Sequence, residues 1–241
     1  AAEAGRRGIL LFDAVTDGDL DAIAGVLDKN GELDVVVAGA AGFAEILAGI
    51  YGRRYTGQLS SQKLCSKPGP LFIVNGSPND VSLGQVEQAK QEGVACFFVP
   101  PATARNDAAS GQLLVDRVVR RLNSGHCAVL TTAASESGIM PAVHAENIGR
   151  LAAAVVRAVP AANVAIFGGD TAAAVCRNLS CEVLYPCDEI MPGLTVCSAG
   201  RTTIGSVPEA LIILKSGGFG PGDVVNRIIG YLKISADKKG I

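Results

Sequence analysis

The sequence has 241 residues, 49% hydrophobic and 18% charged, with a formal net charge of -2, which describes a globular chain of one or two domains able to bury a sizeable core. Its 21 basic and 23 acidic residues are spread without blocks of one sign, so neither a nucleic-acid groove nor an anionic membrane surface is indicated as a partner. Apolar runs such as Leu151 to Val156 are far too short to span a bilayer, and the amino terminus lacks a signal-peptide pattern, which predicts a cytoplasmic protein.

From the amino terminus, short apolar runs alternate with segments of helical period almost throughout, the pattern of an α/β fold built on a mostly parallel sheet flanked by helices in three layers. "GILLFDA" predicts a buried strand. "TDGDLDAIAGVLDKNG" predicts a helix capped by Thr16, with Asp17 and Asp19 in its positive first turn and Gly31 past its end. "LDVVVAG" and "AAGFAEILAGIYG" predict a second strand and helix, so residues 8–52 make a short β-α-β-α piece. Periodicity then stops in "RRYTGQLSSQKLCSKPGP", residues 53–70, the best linker candidate. The predicted division is residues 1–66 and 67–241.

Beyond the linker the alternation resumes. "LFIVNG", "VACFFVP", "CAVLTTA" and "NVAIF" predict strands, separated by helices over "DVSLGQVEQAKQEG", "AASGQLLVDRVVRRLNSG" and "PAVHAENIGRLAAAVVRAV", the last being the longest. "CEVLYPCDEIMPGLTVCSAG" and "PEALIILKSGGFG" predict shorter strands with antiparallel pairing, before a final helix from about Asp223 to Leu232. "TTAASESG" reads as a polar loop and not a nucleophile site, since no histidine base adjoins its serines.

The seven cysteines (Cys65, Cys96, Cys127, Cys176, Cys181, Cys187 and Cys197) form no C-x-x-C, and only His126 and His144 accompany them. That spacing suits no zinc site, and most of these thiols sit in apolar stretches where reduced cysteine packs as a small hydrophobe. No protein metal site is expected.

Three strand-to-helix junctions carry unusual turns: "NGSPND", "FGGDTA" and "KSGGFGPGD". In a parallel α/β sheet all such junctions fall at the carboxyl edge and can converge. Glycines let the main chain approach an anion closely, N–H groups of a tight turn form a nest, and the next helix adds the positive end of its dipole. Ser77 and Thr171 supply hydroxyl donors. Asp170 beside phosphates requires a Mg²⁺ ion or a nucleotide hydroxyl between them. Neither a G-x-x-x-x-G-K-[ST] loop nor the dinucleotide G-x-G-x-x-G occurs, since Gly218, Gly220 and Gly222 give G-x-G-x-G. These residues by themselves indicate an anion or nucleotide site of open type.

The chain resembles the four-carbon acid sugar kinases. The resemblance rests on "FDAVTDGDLDAIA", "AGAAGFAEILA", "NGSPNDVSLGQ", "GGDTA", "MPG" and "LKSGGFG", in matching order and spacing over nearly the whole length. It implies an ATP- and Mg²⁺-dependent kinase acting on a hydroxyl of a four-carbon sugar acid such as a threonate, an erythronate or an oxo-tetronate. The nucleotide contacts implied are Ser77, Gly168, Gly169, Asp170 and Thr171, and the loop of Ser216, Gly217, Gly218 and Gly220. Asp170 and Lys215 are the catalytic candidates, Lys215 to offset charge developing on the γ-phosphate. Asp13, Asp19 and Gly42 are candidate acid-sugar contacts. Ser82 stands where the family commonly has threonine and Asn79 where it has serine. The family's acidic D-D-x-T-G-A motif is not found in the chain, which predicts that the acceptor site needs an amino-terminal domain and that the chain begins in the β-α-β-α remnant of that domain. A homo-oligomer is compatible with this organisation. The competing readings are a non-catalytic module binding a nucleotide or phospho-ligand, and an NAD-dependent oxidoreductase, the latter weakened by the missing fingerprint.

Overall fold

The computed structural model describes residues 8–29, 36–54, 69–99, 108–132, 141–200 and 210–233. The chain divides into two compact units, Ala1–Ser61 and Gln62–Ile241.

In the first unit two helices, α1 (Asp17–Lys29) and α2 (Ala41–Arg54), pack on each other. Ala24 and Phe43 are its buried hydrophobic residues, and Gly42 stands against Leu20. The cap expected at Thr16 is present in reciprocal form. Thr16 Oγ1 accepts the N–H of Asp19 at 3.3 Å, and Asp19 Oδ2 accepts the N–H of Thr16 at 2.8 Å, which satisfies donors at both sides of the helix start. The expected strands are not found among the described residues, the first three positions of "LDVVVAG" lying outside them. Residues 8–14 and 36–40 carry no strand pairing, and Ile9, Leu11 and Val36 are almost wholly exposed. An apolar run becomes a strand only when a neighbour takes its N–H and C=O groups, and none of the described residues does so.

Among its described residues the second unit has seven strands: β1 (Leu71–Asn75), β2 (Ala95–Val99), β3 (Ala128–Thr132), β4 (Asn163–Phe167), β5 (Val183–Met191), β6 (Leu194–Gly200) and β7 (Leu211–Lys215). They form one sheet in the order β2-β3-β1-β4-β7-β6-β5. The first five in that order are parallel, and β6 and β5 add antiparallel pairing at one side. The described helices of the layers are α3 (Asp80–Gln91), α4 (Ala108–Asn123), α5 (Pro141–Ala158), α6 (Gly169–Leu179) and α7 (Val224–Leu232).

Both faces of the sheet are buried, which is why its central strands are unbroken apolar runs. Phe72, Val74, Leu130 and Ile166 pack with α4, α5 and α6. Their strand neighbours Leu71, Ile73, Val129 and Phe167 point the other way and pack with α3 and α7. The helices after β1 and β7 thus cover one face and those after β3 and β4 the other. Between β1 and β4 the following helices diverge, opening a crevice where ligands of open α/β sheets bind. Register puts the strand ends level there, with Asn75 opposite both Thr131 and Phe167, and Phe167 opposite Lys215. α5 and α6 cross closely at Gly149, where a Cβ would lie 2.7 Å from the Ala174 Cβ.

Of the cysteines, Cys96, Cys127, Cys176, Cys181, Cys187 and Cys197 are reduced; Cys65 lies outside the described residues, as does most of "TTAASESG". Burial pushes the Cys96 and Cys176 thiols up to about 11. No described helix is long and apolar enough to cross a membrane.

Candidate nucleotide site

The turn after β1 is held by a relay of short side chains. Asn75 donates from Nδ2 to Thr131 Oγ1 at 3.2 Å and accepts the N–H of Ser77 at 3.3 Å. Ser77 Oγ accepts the N–H of Asn79 at 3.3 Å, and Asn79 Oδ1 caps α3 by accepting the N–H of Val81 at 2.9 Å. Each oxygen bonds the backbone two residues on, the local bonding that makes Asn and Ser turn-formers. Gly76 cannot be larger, because a Cβ there would run into Thr171 and Ile148.

The turn after β4 is a single residue. Gly168 has φ +102° and ψ 132°, a conformation that L side chains rarely adopt, and its N–H continues the ladder by donating to the Lys215 carbonyl at 2.9 Å. As the N-cap of α6 it offers no side chain to the first turn, so the orphan N–H groups there are left for another acceptor. Asp170 is exposed in that turn, whereas Thr171 is buried.

The loop after β7 lies against the other two. A Cβ on Gly217 would collide with Ser77 Oγ, and Gly218 stands beside the Asn79 amide. Its carbonyls are taken from the α3 side. Ser82 Oγ donates to the Gly217 carbonyl at 2.6 Å, and Gln85 Nε2 lies 3.0, 2.9 and 2.9 Å from the carbonyls of Phe219, Gly220 and Pro221. Lys215 is buried. Its ammonium donates to the carbonyls of Ser216 and Gly217 at 2.8 and 3.2 Å and to Ser82 Oγ at 3.2 Å, 4.8 Å above the Phe167 ring. Burial brings its pKa down to about 8.

These turns enclose a cavity of about 290 Å³, the size class of a small-ligand site. Ser77, Gly168, Gly169, Asp170, Thr171, Gly217 and Gly218 all line it. Ser216 and Gly220 belong to the same loop outside the lining, and Lys215 sits behind it on the loop carbonyls. Asp13, Asp19 and Gly42 are in the first unit, where hydrogen bonds from Val15 and Thr16 hold the Asp19 carboxyl below its ordinary range. No cluster of three or more His, Cys, Asp or Glu able to hold a metal occurs among the described residues.

Three contributors escape sequence reasoning. His144, in the first turn of α5, lines the cavity with Thr132, and its Nε2 is enclosed without a hydrogen-bond partner. The available signal was that α5 also follows a parallel strand and so begins at the same edge. Ser82 and Gln85 are the other two. They stand three and six residues after Asn79 in "NGSPNDVSLGQ", on the face of α3 that returns toward its own start.

Comparison with known proteins agrees with this layout. The model of a family described as nucleotide-binding C-terminal domain matches residues 72–225. Among solved structures, a Bordetella bronchiseptica protein of a domain of unknown function, DUF1537, with bound citrate and a domain-swapped dimer, is 23% identical with a TM-score of 0.59, covering 93% of this chain and 53% of its own. A Haemophilus influenzae protein of DUF1537 is 19% identical with a TM-score of 0.64, covering 91% and 52%. A Salmonella typhimurium LT2 protein described as a putative tRNA synthase is 18% identical with a TM-score of 0.63, covering 90% and 51%. The chain therefore spans about half the length of these structures, and at such identities the likeness is one of fold. No curated protein matches the chain. The family model covers well over half of the sequence, and it covers the strands and turns that build the cavity. The chain belongs to the family of nucleotide-binding C-terminal domains.

Proposed function

We propose that the cavity holds the phosphates of ATP and that the second unit is the donor half of a kinase acting on a hydroxyl of a four-carbon sugar acid. The observation that carries the donor side is the cradle itself. At Gly76 and Gly217 a Cβ would fill the space between turns, and the uncapped start of α6 opens on the same cavity. Bare backbone, N–H groups and the positive end of a helix dipole are what a phosphate chain requires. Mg²⁺, when bound with the nucleotide, would neutralise phosphate charge, and Asp170 is the carboxylate of the lining that would face it. Within this chain Ser77 and Thr171 orient the phosphates through their hydroxyls, and the α6 N–H groups receive negative charge.

The acceptor side rests on the motif resemblance, and the citrate held by the Bordetella relative is in keeping with an acidic second ligand. Asp13, Asp19 and Gly42 remain the proposed sugar-acid contacts of the first unit, completed by an amino-terminal domain. That relative's domain-swapped dimer likewise suggests a homo-oligomer, which light scattering tests directly. The deciding experiment is calorimetry with ATP·Mg²⁺, followed by coupled ADP release with a panel of tetronates. Both are run on this chain alone and with an amino-terminal domain supplied by a longer relative. Nucleotide binding with sugar-dependent turnover only in the supplemented reaction is expected, because orienting both reactants is worth roughly 7–11 kcal/mol of barrier. Binding without turnover in either reaction supports a non-catalytic phospho-ligand module instead, and no binding refutes the donor assignment.

A further inference from the structure

We propose that Ser82, Gln85 and Lys215 are positioning residues that pull the carbonyls of the 216–221 loop away from the cavity, so that the opposite N–H groups are presented to a phosphate. The inference deepens the nucleotide reading above and rests on it for the identity of the ligand. In a trans peptide the C=O and N–H point in opposite directions. Five carbonyls, those of Ser216, Gly217, Phe219, Gly220 and Pro221, lie within hydrogen-bond distance of these three side chains, the last three sharing the two N–H groups of Gln85. Their peptide partners are the nitrogens of Gly217, Gly218, Gly220, Pro221 and Gly222, so four N–H groups are turned the other way; Pro221 has none to place. Gly217 and Gly218 are the loop residues that line the cavity, and among the described residues their N–H groups have no acceptor.

The orientation of Gln85 is dictated by its surroundings. An amide oxygen facing three carbonyls would be repelled, so nitrogen faces the loop, and Oε1 is left buried without a partner. A buried acceptor without a bond costs free energy, which the bonds from the amide nitrogen to the loop offset. Lys215 acts from the same side. Its ammonium is occupied by the loop and by Ser82, so it acts on a phosphate through the loop, which replaces the direct γ-phosphate role expected from the sequence.

The test uses the full 241-residue chain with Gln85→Leu, Ser82→Ala and Ser82→Thr. In the ligand-free protein, amide relaxation at Gly217, Gly218 and Gly220 reports loop order. Titrations with ADP and with adenosine then report what the order is for. Gln85→Leu and Ser82→Ala are expected to loosen the loop and weaken ADP about tenfold, the loss of one charge-assisted hydrogen bond. Adenosine, which has no phosphate, should bind as to the native protein, and Ser82→Thr, which keeps the hydroxyl, should retain ADP affinity. Unchanged loop order in both truncations, or equal losses for ADP and adenosine, overturns the proposal. If Gln85→Leu fails to fold, Ser82→Ala decides alone. A loosened loop in a protein that binds no adenine nucleotide even unmutated upholds the positioning role and removes the nucleotide reading.

Discussion

Gly168 and Gly169 are adjacent, both line the cavity, and substituting them should have opposite consequences. At Gly168 the backbone is in a region nearly closed to L residues, and an added Cβ would lie 3.3 Å from the Ser77 Cβ and 3.4 Å from Thr171 Oγ1. Gly168→Ala therefore loads strain of about 1–3 kcal/mol onto the fold. For a unit of this size that lowers Tm by roughly 2–4 °C per kcal/mol, and it displaces the Ser77 turn. At Gly169 the backbone is ordinary helix and a Cβ would meet nothing within 4 Å. Gly169→Ala should leave Tm unchanged or raise it by up to about 1 kcal/mol equivalent, because alanine is the better helix former. The larger Gly169→Val puts two methyls at the α6 start where a phosphate would sit. Losing one or two charge-assisted N–H bonds at about 1.5 kcal/mol each weakens ADP between roughly tenfold and a hundredfold. Scanning calorimetry and ADP titration on all three variants separate the effects. A folded Gly169→Val protein with native ADP affinity would refute the location of the phosphates, and a Gly168→Ala protein with native Tm would refute the strain argument.

Lys215 makes stability depend on pH. Its folded pKa of about 8 lies below the ordinary 10.5, so between those values the unfolded chain binds more protons at this group and its contribution to stability rises with pH, while the raised Cys96 and Cys176 thiols act in the opposite direction above about pH 9. In denaturant titrations from pH 7 to 10.5 the Lys215→Met profile should lack that contribution and climb less, or fall more, than the native one, and parallel profiles would contradict the assignment. Gly149→Ala forces Ala174 backbone and α5 apart, and overpacking of this kind should cost about 1–3 kcal/mol in urea unfolding with ADP affinity retained by the folded fraction. Among the described cysteines, alkylation at pH 8 should label exposed Cys187 first and leave buried Cys127 and Cys197 unreacted until denaturant is added, and elemental analysis should find no stoichiometric zinc.

Much of the second unit could be read from the sequence because its strands are buried on both faces. "LFIVN" and "NVAIF" are apolar at nearly every position, end in a glycine turn, and are followed by segments of helical period, so local and global preferences agree. The convergence of the three turns followed from parallel topology alone. What could not be read depends on pairings distant in the chain. Gln85 meets the 219–221 carbonyls across more than 130 residues, and no periodicity encodes which loop a helix face will reach. The same limit explains the first unit. "GILLFDA" has strand composition, but its pairing requires neighbours, and Ile9 at 96% exposure shows what an apolar run does without them. Lys215 was visible as a charge beside glycines, while its direction depended on Ser82, a residue of α3.

β7 follows the β5–β6 hairpin in the chain but lies between β6 and β4 in the sheet. Until residues 211–215 insert, β4 and β6 each present an open edge, which makes a partly synthesised or partly unfolded chain prone to pair wrongly. The same insertion delivers the glycine loop to the turns after β1 and β4. Closing the sheet and completing the cavity are thus one event, and a ligand that needs all three turns has nothing to grip in any earlier form. Such a ligand acts on the folding equilibrium with its full mass-action weight, holding the finished sheet closed while leaving every earlier form unassisted.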